Sequence, residues 1–149
     1  MKKIALTIST IMLGLSFQSL AANPQFNNDQ LRQFHETNRC PNCDLSGYIF
    51  EENDVNHSGA TLHDVNFSNA QGNVWPGVNF AFSNLVSANF TGAELPNANF
   101  SNADVSHAHF DGANLMNANF FGANGFDPRN ANICNAILPD GSKGKCEEG

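Results

Sequence analysis

The sequence predicts an all-β protein, a narrow solenoid of stacked coils that carries a short helical cap at its N-terminal end. A five-residue repeat dominates the chain from Val78 to Gly122, and helical patterning is confined to a short segment before the repeats. At every fifth position Phe alternates with a smaller aliphatic residue. Repeats of this kind are typical of solenoids, in which each unit buries its apolar face against the next.

Each repeat consists of a small residue, a polar residue, a large apolar residue and two variable residues. The period excludes an α-helix, because residues five apart lie roughly 140° apart around a helix axis. A continuous strand also fails, because an odd period turns every second large residue to the opposite face. The chain must therefore turn a corner once per repeat. The large residues that we expect inside, as a core ladder, are Phe80, Leu85, Phe90, Leu95, Phe100, Val105, Phe110, Leu115 and Phe120.

The alternation of Phe with Leu or Val favours four sides per coil. Four repeats per coil would stack Phe80, Phe100 and Phe120 in one column, with aliphatic columns on the neighbouring sides. Three repeats per coil would stack Phe on Leu on every side, which suits a close-packed interior less well. We expect about four coils, and at a strand spacing of about 4.8 Å the tube is on the order of 20 Å long.

The repeated Ala-Asn/Asp-Leu/Phe signature over Val78 to Gly122 resembles the pentapeptide-repeat protein family. Looser repeats precede it from Cys43 and follow it to Leu138, with slips near 56–59 and 72–77. The resemblance implies a right-handed quadrilateral β-helix, which we assign to residues 40–138. Some family members resemble B-form DNA in width and charge and inhibit DNA gyrase, protecting it from quinolone drugs, so the resemblance implies this activity as an alternative function.

The first residues predict export. Lys2 and Lys3 precede an apolar run over 4–17, and small residues follow up to Ala21. This is the pattern of a cleaved signal peptide, here residues 1–21, which predicts a periplasmic or secreted protein with no membrane insertion after cleavage. A membrane span is the competing interpretation, but the apolar run is short for one.

Residues 22–39 predict a helical cap. Its start is indicated by Asn27 as N-cap, by Gln30 in the capping-box position and by Phe26 facing Leu31 as a hydrophobic staple. Leu31 and Phe34 lie three residues apart and give the helix an apolar face. That face is expected to cover the first coil, and binding of a partner is the alternative.

The charge pattern argues against a nucleic-acid partner. Asp and Glu number 14 against seven Lys and Arg, a net charge of −7, and without residues 1–21 the net charge is about −9. Between Arg39 and Arg129 the chain holds no basic residue besides histidine. A groove that follows nucleic-acid phosphates needs Lys and Arg. The plainer role of the acidic surface is solubility.

The four cysteines predict two local disulfides. Cys40 and Cys43 lie at one end of the solenoid and Cys134 and Cys146 at the other, farther apart than the roughly 7 Å between Cα atoms that a bridge allows. The second bridge would hold the C-terminal tail, residues 139–149. Cys40 and Cys43 also have the spacing of a redox-active pair, so thiol-disulfide chemistry and zinc binding are alternatives, although no thioredoxin-like pattern surrounds them.

Candidate interaction residues are large apolar side chains at variable positions or in a slip, namely Trp75, Phe82, Met116 and Phe121. An exposed Trp75 would suit contact with a protein or a sugar, and a Trp folded back over the tube is the alternative. Phe82 and Phe121 lie at the edge of one face, two coils apart, an arrangement compatible with a homodimer.

The sequence offers no catalytic constellation. His107, His109 and Asp127 could form a weak surface metal site, but solvated histidines are the plainer interpretation. We find no nucleophile–base pair and no phosphate-binding loop, and a filled solenoid offers no cleft for a small molecule. The sequence thus predicts a non-enzymatic, exported, protein-binding or structural module without a cofactor, whose protein partner it does not identify.

Overall fold

The computed structural model describes residues 27–51, 56–72 and 77–146. The predicted signal peptide, the staple residue Phe26 and the candidate residue Trp75 lie outside these ranges. One α-helix, α1 (Asn28–Thr37), precedes a series of short parallel β-bridges. In the described part of the chain, no helix has the length and the apolar content that crossing a bilayer requires.

The β-bridges define a four-sided coil. Asn79 pairs with Asn99 and Asn99 with Asn119, so one turn takes 20 residues, or four sides of five. The outward residues are Arg39, Thr61, Asn84, Asp104 and Asn124 on the first face, Asp44, Asn66, Asn89 and His109 on the second, Ile49, Gln71, Glu94, Asn114 and Asn132 on the third, and Asn56, Asn79, Asn99, Asn119 and Ile137 on the fourth. Arg39 to Asn124 makes four complete turns, and a partial fifth follows.

The extra residues of the two longest coils fall at one corner, and the last coil is shorter, with 18 residues from Asn119 to Ile137. Ile49 pairs with Gln71 at a spacing of 22 residues, and Gln71 pairs with Glu94 at a spacing of 23. The extra residues lie between the third and fourth faces, before Asn56 and before Asn79. The predicted slip at 56–59 is therefore misplaced by a few residues, because that stretch is itself a regular corner.

All nine residues of the predicted core ladder are buried. Phe80, Phe100 and Phe120 form one column, with ring centroids 5.4 and 4.7 Å apart. Phe90 and Phe110 stack at 5.1 Å in a second column. Rings of these two columns, which lie on opposite sides of the coil, meet edge to face across the interior, the geometry that aromatic pairs prefer besides offset stacking. Phe thus stacks on Phe, as the four-sided prediction requires.

The corners explain which residues recur around the core. In each corner the N–H of the small residue donates to the carbonyl of the preceding large residue, as from Ala88 to Leu85 at 3.0 Å. The residue before the small one has a positive φ, which favours Gly and Asn. The outward Asn accepts from the N–H two residues ahead, as Asn99 does from Ser101, and the Asn99 amide also donates to Asn79 Oδ1 at 3.1 Å. We call the stacked outward asparagines of the fourth face the asparagine ladder.

Helix α1 packs across the open end of the first coil. Asn27 is its N-cap and accepts from the N–H of Asp29 at 3.0 Å. Gln30 does not close a capping box; its Oε1 accepts from the N–H of Asp44 in the first coil at 3.4 Å. Leu31 and Phe34 are buried, and the Phe34 ring stacks on His57 at 4.3 Å. The apolar face of α1 therefore points into the solenoid.

The other end is closed by the chain itself. The Phe126 ring stacks on Phe120 at 3.8 Å and continues its column. Beyond it, Lys143 pairs antiparallel with Ile137, so the tail covers part of the last coil's edge.

Candidate interaction surface

Both predicted cysteine pairs are bonded in the structure. Cys40 and Cys43 lie 5.5 Å apart between Cα atoms, and Cys134 and Cys146 lie 4.2 Å apart. Cys40 and Cys43 are buried and belong to the first β-coil rather than to a helix N-terminus. Thiol-disulfide exchange requires access of a thiolate to the sulfur, so a buried bridge is a poor site for it.

The hypothesised metal site does not assemble. Asp127 pairs with Arg129 at 3.1 Å, and Arg129 also lies 3.9 Å from Asp111. His107 lies beside Asp127 and Arg129 in a surface depression of about 290 Å³. Within the described ranges, no group of three or more His, Cys, Asp and Glu residues is placed to hold a metal ion.

The carboxylates of Asp104 and Asp140 accept hydrogen bonds from a serine two residues ahead in the same corner. The Ser106 hydroxyl donates to Asp104 at 2.6 Å and the Ser106 N–H donates at 3.1 Å, and these bonds, with a weaker one from Asn124, hold the pKa of Asp104 below its usual value. Ser142 lowers the pKa of Asp140 in the same way. Hydrogen bonds to the ionised form make such carboxylates poor proton carriers near neutral pH.

The candidate interaction residues that the structure describes lie beside one face. Phe82 is 67% exposed and Phe121 is 55% exposed, and both lie at the corner between the fourth face and the first. Met116, 37% exposed, lies at the opposite border of the fourth face. We call the corner that carries the two phenylalanines the aromatic edge, made of Ser58–Gly59, Ala81–Phe82, Ser101–Asn102 and Phe121–Gly122 on successive coils.

Ile137 adds to this surface, and sequence reasoning did not select it. It occupies the outward position of the fourth face in the last coil and is 36% exposed. The signal was available, because Ile137 replaces the polar residue of its repeat. Among the described residues, four of the five exposed large apolar side chains thus lie on or beside the fourth face, and Ile49 on the third face is the exception.

The same surface carries little charge. The outward residues of the fourth face are four asparagines and Ile137, and the four corners of the aromatic edge have no ionisable residue; the next corner, Pro139–Asp140, carries one exposed carboxylate. The other faces carry acidic outward residues, such as Asp104 on the first, Asp44 on the second and Glu94 on the third. A neutral, partly apolar face on an acidic protein is the feature expected of a protein-contact surface.

Phe82 is placed at a conformational cost. Its φ is 59°, whereas Gly59, Asn102 and Gly122 hold the equivalent positions in the other coils of the aromatic edge. A bulky L-residue in the left-handed region costs about 1–2 kcal/mol. Fold stability therefore favours Gly or Asn at this position. A Phe that is kept there despite its backbone strain is a candidate for a functional role, because strained residues cluster at functional sites.

The comparisons with known proteins agree with the coil geometry. A family model described as pentapeptide repeats matches eight copies, over residues 77–111 and 98–138. Over residues 77–138 the chain is a pentapeptide-repeat protein. Its solved relatives include HetL, a pentapeptide-repeat protein involved in regulating heterocyst differentiation in the cyanobacterium Nostoc, with 25% identity and a TM-score of 0.53. The match covers 71% of this chain but only 53% of HetL, so this pentapeptide-repeat protein spans about half of that relative.

Two further pentapeptide-repeat structures are more distant in shape. One comes from the thylakoid lumen of Arabidopsis thaliana, with 26% identity, a TM-score of 0.43 and coverage of 78% of this chain and 73% of the other. The other is QnrB1, a plasmid-mediated fluoroquinolone resistance protein, with 18% identity, a TM-score of 0.39 and coverage of 67% and 71%. No protein of curated function gives a significant sequence match.

Proposed function

We propose that this pentapeptide-repeat protein is an exported, non-enzymatic module that binds protein through its fourth face and aromatic edge. The observation that carries the proposal is the grouping of exposed apolar side chains around an uncharged face. Phe82 strengthens it, because the residue holds a strained backbone and exposes its ring to solvent. The dense interior supports a binding role over catalysis, because the large residues of every coil fill the tube.

Export is supported by the cysteines, all four of which are bonded. Disulfides persist in oxidising compartments and are rare in the cytosol. Intact-mass measurement of the protein from its native host tests this part. We expect a chain without residues 1–21, lighter by four hydrogens than its reduced form. A full-length cytosolic chain with free thiols would contradict export.

Binding is tested by affinity capture with the immobilised mature protein. Phe82→Asn and Phe121→Ser together should abolish capture, since each places at the aromatic edge a residue that the coil of Ser101 and Asn102 already uses there. Ile49→Asn is the matched control, because it removes a side chain that is 60% exposed on another face. Capture that survives the double substitution but is lost in the control would place the binding surface elsewhere.

Inhibition of DNA gyrase is the second candidate, and the acidic body between Arg39 and Arg129 favours it. The fourth face weighs against it, because a DNA mimic is expected to carry negative charge on every side, and the outward residues of this face are uncharged. A supercoiling assay with purified gyrase decides the matter. Inhibition that ends when Asp104 and Glu94 are changed to amides would support mimicry.

A further inference from the structure

We propose that the fourth face and the aromatic edge bind a second copy of the same chain, forming a two-fold symmetric dimer. The inference rests on the proposed function, because it names the partner of that surface. Three features of the structure lead to it: the charge of the molecule, the hydrogen bonds within the asparagine ladder and the spacing of Phe82 and Phe121.

The charge favours a partner that is itself acidic. A basic partner would be attracted to the faces that carry Asp44, Glu94 and Asp104, not to the neutral one. Two copies of a chain with net charge −7 repel each other wherever acidic faces meet. The fourth face is the side on which they can approach without opposing outward charges.

The asparagine ladder lowers the cost of burying this face. Asn79 Nδ2 donates to Asn56 Oδ1 at 3.0 Å, and Asn99 Nδ2 donates to Asn79 Oδ1 at 3.1 Å. The same oxygens accept from the backbone, Asn56 Oδ1 from the N–H of Ser58 and Asn79 Oδ1 from the N–H of Ala81. Burial of polar groups is costly when they lose their partners. These amides already have partners within the chain, so a dry contact leaves few of them unsatisfied.

The spacing of the phenylalanines suits a two-fold axis. The N–H of Phe82 donates to Ser101 O and the N–H of Asn102 donates to Phe121 O, so the two aromatic residues flank the Ser101–Asn102 corner, one coil on either side. At about 4.8 Å per coil they lie roughly 10 Å apart along the tube. An axis through the Asn102 corner would bring Phe82 of each copy against Phe121 of the other, as an isologous contact requires.

Sedimentation equilibrium of the oxidised mature protein tests the inference. We expect twice the monomer mass for the wild type. The Phe82→Asn, Phe121→Ser double variant should raise the dimer dissociation constant at least about tenfold, because aromatic anchors dominate protein interfaces. Asn and Ser are the residues of the neighbouring coil, so the variant is expected to fold. Ile49→Asn should leave the dimer intact.

A second variant tests the axis. Asn102→Asp would place two carboxylates beside each other across the two-fold, and weaker dimerisation that salt restores is expected. Asn69→Asp is its control, because Asn69 has a similar φ of 57° at a corner remote from the fourth face. Dimerisation unaffected by the phenylalanine substitutions, or lost equally in both Asp variants, would overturn the inference.

The proposed function and the inference can fail separately. A wild type that stays monomeric at every accessible concentration, while captured proteins still depend on Phe82 and Phe121, overturns the dimer and keeps the binding surface. A monomeric wild type with no capture that depends on these residues overturns both.

Discussion

At the scale of single residues, the five positions of the repeat are constrained to different degrees. The small and large positions face a closed interior, and the structure places them as the pattern predicts. The second variable position has a positive φ, and Asn, Gly, Ser and Asp fill most of its occurrences. Phe82 departs from this rule. The sequence reveals that a Phe stands at a corner, but the strain depends on the turn geometry, which five-residue spacing does not specify.

Replacing Phe82 by Asn should stabilise the protein. Asn tolerates the left-handed region that Phe82 occupies, so the free energy of unfolding should rise by about 1 kcal/mol. Chemical denaturation at concentrations where the protein is monomeric measures the change. The converse substitution, Asn102→Phe, introduces the same strain one coil away and should be destabilising. A less stable Phe82→Asn monomer would mean that the Phe82 ring makes intramolecular contacts that outweigh its strain.

Asp104 should make stability depend on pH in a defined direction. Its pKa is lowered in the folded protein, chiefly by the Ser106 hydroxyl and then by the Ser106 N–H. The folded state therefore binds the proton less tightly than the unfolded state, and the stabilisation is present above the unfolded pKa. As the pH falls through the folded pKa it is lost.

The comparison of wild type with Asp104→Asn in thermal unfolding measures this contribution. The wild type's advantage should be full near neutral pH and should shrink on acidification below the ordinary carboxyl range. Ser106→Ala should reduce the difference between the two proteins, because it removes the strongest of the hydrogen bonds. An advantage of wild type that grows on acidification would contradict the assignment.

At the scale of elements, helix α1 shows what local sequence can and cannot predict. Its N-cap and its apolar face follow from spacing within one segment, and both are found in the structure. The bond of Gln30 was mispredicted, because its partner is the backbone of Asp44, fourteen residues away in the first coil. The Gln30 side chain bonds to the backbone of Asp44 instead of to the backbone of its own helix, where a capping box would place it. The apolar residue at the polar position of its repeat makes Ile137 visible in the sequence, but its grouping with Phe82 and Phe121 is not visible there, since its neighbours on the fourth face come from other coils.

Removing the aromatic ring of α1 should uncover the first coil. Phe34 is fully buried and its ring meets those of His57, Tyr48 and Phe67. Phe34→Ala should lower the free energy of unfolding by about 3–5 kcal/mol. Gln33→Ala is the control, because its exposed side chain belongs to the same helix. Hydrogen exchange should show the first coil opening before the rest. Equal stability of the two variants would contradict a capping role for α1.

At the scale of the whole molecule, the number of sides was predictable. Phe recurs every ten residues in a repeat of five, and four sides per coil place each Phe directly above another Phe. The extra residues between the third and fourth faces were harder to place. The columns of core residues keep their order on either side of these extra residues, whatever the number of extra residues. The pattern of buried residues therefore does not show where the extra residues lie. The fourth face, whose outward residues are uncharged, emerges only at this scale, when residues 18 to 23 apart in sequence are brought together.

Because Phe stacks on Phe only when each turn keeps four repeats, we predict that the chain tolerates loss of a whole coil better than loss of a single repeat. Deletion of residues 99–118 joins Ala98 to Asn119 and preserves both the repeat and the 20-residue turn. Phe120 then stacks directly on Phe80. Because solenoid stability is nearly a sum of units and their interfaces, the shortened protein should fold cooperatively with a lower melting temperature.

Deletion of residues 99–103 removes only one repeat, but it turns every later residue by one side. Val105 then lies over Phe80, and Phe110 lies over Leu85 instead of Phe90. The mismatch leaves gaps under some columns and crowding under others, and close-packed interiors tolerate neither well. Thermal unfolding followed by circular dichroism should therefore rank the five-residue deletion below the twenty-residue deletion. The reverse order would show that the Phe columns do not set the register of the coils.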